Sequence, residues 1–268
     1  MAKQADIGLF EARIEDLVRQ AENRYETALG DFLSPGEAAR ARMFLRTLHS
    51  DAIPIFFGGY GGSERTRLLV LPAYMETEEP LDGNNFRTVY PELAASAVTA
   101  VKIRGSGYRK LSHRDYMGSV LALGIERDVI GDIVTEGDFS ALVFCDPKIA
   151  AYILQELHKI GNDAVKVESV DIPADFRVER QFETIRDTVA SARLDCIVAA
   201  LAGLAREKAQ NVIRADEVEV DYLTENRVDR VVSVGSVITV RHVGKFILRS
   251  TEEQTKKGRY RLVADKYI

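Results

Sequence analysis

The stretch Arg193–Arg241, RLDCIVAALAGLAREKAQNVIRADEVEVDYLTENRVDRVVSVGSVITVR, is the most informative part of this 268-residue chain. Arg193-Leu194-Asp195 opens a short helix with Leu194, Ile197, Val198 and Leu201 on one face, and Gly203 ends it. A second helix is expected from about Ala205 to Arg214. On it Arg206, Gln210 and Arg214 are spaced i, i+4, i+8 and share a face, while Ala209, Val212 and Ile213 turn inward. Strands follow at Val218–Val220 and Val237–Arg241. Two short helices showing Arg, then small strands, make a compact, positively edged surface. Cations on such a surface neutralise phosphates and release counterions without reading any base. An exposed helix with ordinary solvated arginines is the alternative, and Glu207, Asp216, Glu217, Glu219 and Asp221 favour it by diluting the field. With Arg206 and Arg214 taken as solvent-facing, their replacement by alanine is expected to cost no more than about 0.5 kcal/mol.

The charge distribution agrees with a basic end. Net charge is −5, yet Glu183–Ile268 carries 15 Lys+Arg against 13 Asp+Glu, and Arg241–Ile268 carries 8 against 3. Arg suits phosphate because its planar fork donates two hydrogen bonds at once. The candidate binding residues are therefore Arg193, Arg206, Lys208, Gln210, Arg214, Arg241 and Lys245, with Lys256, Lys257 and Arg259 in the tail.

Composition bounds the rest. With 46% hydrophobic and 29% charged residues the chain is a folded protein of two or three domains, neither disordered nor collagen-like. Its longest apolar stretches, Cys196–Ala205 and Val231–Val240, are too short for a membrane span. MAKQADIGLF has no apolar signal core, and Cys145 and Cys196 lie far apart in apolar segments, so a reduced, cytoplasmic protein without disulfides is expected.

Upstream, two modules are expected. In residues 1–78 the apolar spacing from Ile7 to Leu29 reads as a helix. Ser34-Pro35-Gly36-Glu37 is a capping box opening a second one. Strands Ile53–Phe57 and Arg67–Leu71 flank the turn Gly58-Gly59-Tyr60-Gly61-Gly62. That turn lacks the Gly-Lys-Ser/Thr ending of a phosphate loop and precedes a strand, so it reads as a hairpin rather than a nucleotide cradle. Residues 79–175 give strands at Phe86–Val89, Ala97–Ile103, Asp132–Val134, Ala141–Cys145 and Ala164–Val170, with helices over Ser112–Leu123 and Pro147–Ile160. Without the first strand the order is βαββαβ, that of ferredoxin-like and RRM-like sheets. Asp171–Arg180 reads as a linker, and residues 183–268 form the last domain. The whole is an α+β protein of three modules.

Catalytic signals are weak. His113-Arg114-Asp115 has Val120 where a kinase loop needs Asn, and Ser112 with Asp115 is better explained as a helix cap. His113 and Arg114, at that helix start, are candidate secondary phosphate contacts. His49, His113, His158 and His242 have no metal spacing, and HExxH, GxSxG and CxxC are absent. No cofactor, metal or enzymatic activity is expected.

Arg193–Arg241 resembles an S4 domain, the αL RNA-binding motif, in Arg193-Leu194-Asp195, the Arg206 helix ending Val212-Ile213, Val218-Glu219-Val220 and Val234-Gly235. Several further strings resemble the bacterial YlmH family. These are Phe32–Glu37, Phe57–Tyr60 with Glu64-Arg65, Lys110–Gly118, Leu123–Arg127, Gly131–Ile133 and Thr255–Arg259. The resemblance implies an N-terminal domain, a central RRM-like domain and a C-terminal S4 domain. It also implies binding of rRNA or tRNA on the large ribosomal subunit carrying peptidyl-tRNA, in rescue of stalled translation, with division proteins as further candidate partners. Two alternatives stand beside it. One is an RNA-modifying enzyme targeted by S4, since pseudouridine synthases also carry an Arg-Leu-Asp, though followed two residues later by Thr, where this chain has Val198. The other is an interaction protein of the division machinery.

Overall fold

The computed structural model describes residues 2–251 and 258–268. The chain forms two compact units, Met1–Val178 and Glu179–Ile268.

The first unit begins with α1 (Ala2–Arg24). This helix stops short of the expected Leu29, because Tyr25 takes a left-handed φ of 57° and the chain turns into β1 (Ala28–Leu33). Ser34 then caps α2 (Pro35–Leu45) through the anticipated capping box with Glu37. Strands β2 (Ile53–Phe57) and β3 (Thr66–Leu71) complete an antiparallel sheet of order β1-β3-β2.

Phe86–Val89, expected as a strand, is instead a single helical turn, α3. The Asp82 carboxylate accepts from the backbone of Asn84 (2.7 Å) and Asn85 (3.1 Å), and Phe86 N–H donates to Asp82 O. Such local side-chain bonds start a turn that a β-prone composition conceals. Next comes α4 (Pro91–Ala97), which takes up the Ala97 assigned to a strand.

The expected βαββαβ order follows. It begins with β4 (Thr99–Arg104), α5 (His113–Leu121), β5 (Ile130–Glu136), β6 (Ser140–Cys145) and α6 (Pro147–Glu156). A small hairpin of β7 (Lys159–Ile160) and β8 (Asp163–Ala164) then leads to β9 (Lys166–Val170). That hairpin cuts the expected Pro147–Ile160 helix short, with Gly161 at φ 58° in its turn. Sheet order β5-β6-β4-β9, antiparallel throughout, is the ferredoxin-like arrangement. Val101, Ile103, Val143 and Tyr116 pack between this sheet and its helices.

The expected boundary near residue 79 does not separate two bodies. Phe32, Phe57, Tyr60 and Leu71 from one side share a single core with Ala100, Leu142 and Phe144 from the other. The glycine turn is the seam. Gly59, at φ 99°, lies so close to Phe144 that a Cβ would sit 2.6 Å from its ring. Tyr60 packs on Phe144 with ring centroids 4.7 Å apart and donates to Asp132 at 2.7 Å. Asp132 also accepts from the backbone of Glu64 and Arg65. The buried Arg67 donates to Gly30 O, Ala97 O and Asp146. Much of the expected linker belongs to this core as well, through Ile172, Phe176 and Val178.

The second unit is a six-stranded antiparallel sheet of order β10-β15-β14-β13-β11-β12. Its strands are β10 (Phe182–Val189), β11 (Val218–Val220), β12 (Leu223–Thr224), β13 (Val237–Val240), β14 (Gly244–Ser250) and β15 (Tyr260–Tyr267). Helices α7 (Leu194–Ala202) and α8 (Arg206–Arg214) fall where the periodicity places them. Gly203, left-handed at φ 63°, ends the first. Leu194, Ile197, Val198, Ala209 and Ile213 bury against Val218, Ile238, Phe246 and Leu262.

Candidate nucleic-acid interface

The helical side of the second unit is organised around one carboxylate. Asp195 stands in the first turn of α7 and has no solvent-accessible surface. Its Oδ2 accepts from Arg206 Nε and Gln210 Nε2, each at 2.9 Å, and Arg193 Nε lies 3.2 Å from Oδ1. Burial raises the Asp195 pKa, but bonds from Gln210, Arg193 and Arg206, with the Arg206 charge, pull it down to about 2. The shared face of Arg206 and Gln210 therefore does not simply look outward. It is tied to a buried anion, so the expected indifference of stability to Arg206 is corrected. Both guanidiniums nonetheless remain open to solvent, Arg206 at 53% and Arg193 at 38% exposure. Anchored on one edge and open on the other, they are held for a second anion at little further cost in side-chain entropy.

A second acidic anchor stands beside this frame. Glu225 is buried and accepts from Arg227 N, Nε and a terminal nitrogen at 2.9–3.1 Å, and from Arg230 at 2.7 Å. The Arg227 hydrogen bonds chiefly hold its pKa at about 2, against the opposing effect of burial. Leu194 N–H donates to Arg230 O and Asp195 N–H to Val228 O, which lays this loop along the start of α7. Sequence reasoning misses Arg227 and Arg230. They lie in a loop without periodicity, and the density of Arg around Glu225 is the one signal that could have found them.

The remaining candidates separate. Lys208 and Arg214 are exposed on α8, and Arg241 is exposed just beyond β13. Arg259 donates to Thr188 O and, with Arg206, lines a hollow of about 260 Å³ floored by Cys196, Ala199 and Ala200. Lys245 does not join them. On β14 its neighbours Phe246 and Leu248 alternate as core residues, so it points to the sheet face away from the helices. There its Nζ lies 4.8 Å from the Tyr222 ring centre and 4.6 Å from that of Tyr267. Lys256 and Lys257 fall outside the described residues. In the first unit, His113 and Arg114 are exposed at the start of α5, where Ser112 is the expected cap and, with Asp115, completes a capping box. The Ser112 hydrogen bonds lower the Asp115 pKa.

Comparison with known proteins bears on the first unit above all. Residues 10–75 match a family model described as "YlmH, N-terminal", and residues 91–174 one described as "Putative RNA-binding domain in YlmH". The chain belongs to the YlmH family. A Bacillus subtilis (strain 168) relative, "Ribosome-associated protein quality control protein P2", is 28% identical over 251 residues, covering 92% of this chain and 90% of that protein. A solved structure, "Cell division protein ylmH from Streptococcus pneumoniae", aligns with a TM-score of 0.48 and 20% identity, over 62% of this chain and 92% of that one. Among the described residues of this YlmH-family chain, no helix is long and apolar enough to cross a membrane.

Proposed function

We propose that this protein is a non-catalytic RNA-binding factor of the cytoplasm. It acts on the large ribosomal subunit, where it contacts rRNA or peptidyl-tRNA when translation has stalled, through a C-terminal S4-type unit. The observation that carries the reading is the Asp195 frame, in which Arg193 and Arg206 are pre-oriented by a buried carboxylate while keeping a solvent-facing edge. Ribosome association of the Bacillus subtilis relative, as its name states it, and the description of the family model over residues 91–174 support the same reading.

The same frame weakens the RNA-modifying alternative. A nucleophilic carboxylate must reach its base, and Asp195 is enclosed, with both oxygens engaged by three side chains. Its role here is to position arginines.

Co-sedimentation with purified large subunits tests the proposal. Lys208→Glu with Arg214→Glu, both exposed on α8, should weaken binding and make it less sensitive to salt, by about one unit of slope for each phosphate left without its cation. Undiminished binding by that variant would remove Lys208 and Arg214 from the interface, and failure of the parent chain to co-sediment would overturn the proposal.

A further inference from the structure

RRM-like sheets usually bind RNA by stacking bases on aromatic rings of the central strands. In this chain that route is closed. The one aromatic on the four strands is Phe144, and it is fully buried under Tyr60 and Phe176. Lys102 and Arg104, the cations of β4, are ion-paired to Glu136 and Glu168. The half of the sheet face around Phe144, with Ala100 and Leu142, has become an internal core, and the remainder carries no ring on which a base could stack.

One loop has the required chemistry. From Gly105 to Arg114 the sequence is GSGYRKLSHR, with three Lys+Arg and no acidic residue. Tyr108 at its tip is 97% exposed, more than any other large hydrophobic or aromatic side chain among the described residues. The loop is nonetheless fixed in shape. Gly105 N–H donates to Phe139 O at 2.8 Å, and Leu111 N–H to Asp138 O at 2.9 Å. Ser106 bonds to Asp163 through both its backbone and its hydroxyl, and Tyr108 N–H donates back to the Ser106 oxygen. Gly107, at φ 88°, supplies the left-handed turn that lifts Tyr108 out. Arg109 and Lys110 are held beside it by Asp115 and Asp138 while staying at least half exposed, and His113 and Arg114 follow at the helix start.

We propose that this loop is a second RNA contact. Tyr108 stacks on an unpaired base, and Arg109, Lys110 and Arg114 engage the flanking phosphates. A base is the fitting occupant because stacking needs only an open ring face, which every base can match, while neighbouring cations hold the backbone. The inference rests on the RNA-binding reading above and gives that activity a site in the central domain, independent of the Asp195 frame.

The chain contains no Trp, so Tyr108→Trp makes a unique fluorescent reporter at the loop tip. Titration with a single-stranded decamer of uridine should quench it. Tyr108→Ala should bind the decamer, or purified large subunits, at least about five-fold more weakly, with Tyr108→Phe within about two-fold of the parent. Because Tyr108 is exposed, Tyr108→Ala should keep the parent Tm. If the parent chain binds either RNA and Tyr108→Ala binds it equally well, the loop is not a contact and the inference is wrong. If the parent binds neither the decamer nor large subunits, the RNA-binding reading itself falls.

Discussion

Asparagine at position 195 isolates the electrostatic part of the frame, since the amide keeps the carboxylate's shape and drops its charge. The carboxyl is held at about 2, against an ordinary value of 3.8. One pKa unit corresponds to about 1.36 kcal/mol between protonation states. The ionised group therefore contributes about 2 kcal/mol to the second unit at neutral pH. For a unit of about 90 residues, that is roughly 8–16 °C in Tm.

The pH dependence has a definite sign. A folded-state pKa below the unfolded one stabilises the protein fully above the unfolded value, and the benefit fades as pH falls through 3.8 towards 2. Thermal melts of parent and Asp195→Asn, followed by far-ultraviolet circular dichroism from pH 7 to pH 3, read this directly. The charge-dependent part of the gap should be complete above about pH 4.5 and about halved at pH 3. Whatever survives at low pH measures the misfit of an amide NH₂ group facing three donors. Equal melting at pH 7, or a gap of constant size across the range, would refute the idea that this anion organises the helices.

Three further outcomes follow from the same geometry. Arg206→Ala should lower the Tm of the second unit while Lys208→Ala with Arg214→Ala barely moves it, because of these three residues only Arg206 faces the buried carboxylate; calorimetry of the two variants separates anchoring from solvated arginines. Tyr60→Phe should cost the first unit about 1.5–3 kcal/mol, the usual worth of a hydrogen bond to a charged group, because the phenol bonds Asp132 across the seam; urea denaturation with an unchanged m-value checks it. Limited proteolysis should release a stable fragment beginning near residue 179 and none ending near residue 78, since a shared core spans that position; mass spectrometry of the products decides between the two cuts.

What the sequence reveals, and what it hides, divides along physical lines. Local signals read correctly. The Ser34 capping box, the Ser112 cap, the Gly203 stop and the inward Ala209 and Ile213 all depend on residues within one or two turns of each other. Strand Val218–Val220 and the βαββαβ order are legible for the same reason. Features set by distant partners are not. An i, i+4, i+8 row of Arg206, Gln210 and Arg214 looks the same whether water or a carboxylate eleven residues upstream receives its donors. Likewise, alternation along β6 tells that Leu142 and Phe144 share a face, but not that the N-terminal sheet covers it.

The glycine turn combines both cases. Gly58-Gly59-Tyr60-Gly61-Gly62 reads from sequence as a hairpin with conformational freedom, and that much is right. Its glycines, however, also serve a second purpose, since Gly59 lets the backbone close on Phe144 and Tyr60 follows it into the joint core. Burying Phe144 in this way removes the ring on which the central domain would otherwise stack a base. The N-terminal module thus carries a functional consequence for a sheet it does not belong to. It also leaves Tyr108, raised on a braced and basic loop, as the most exposed aromatic of that domain and the ring proposed above to stack on a base.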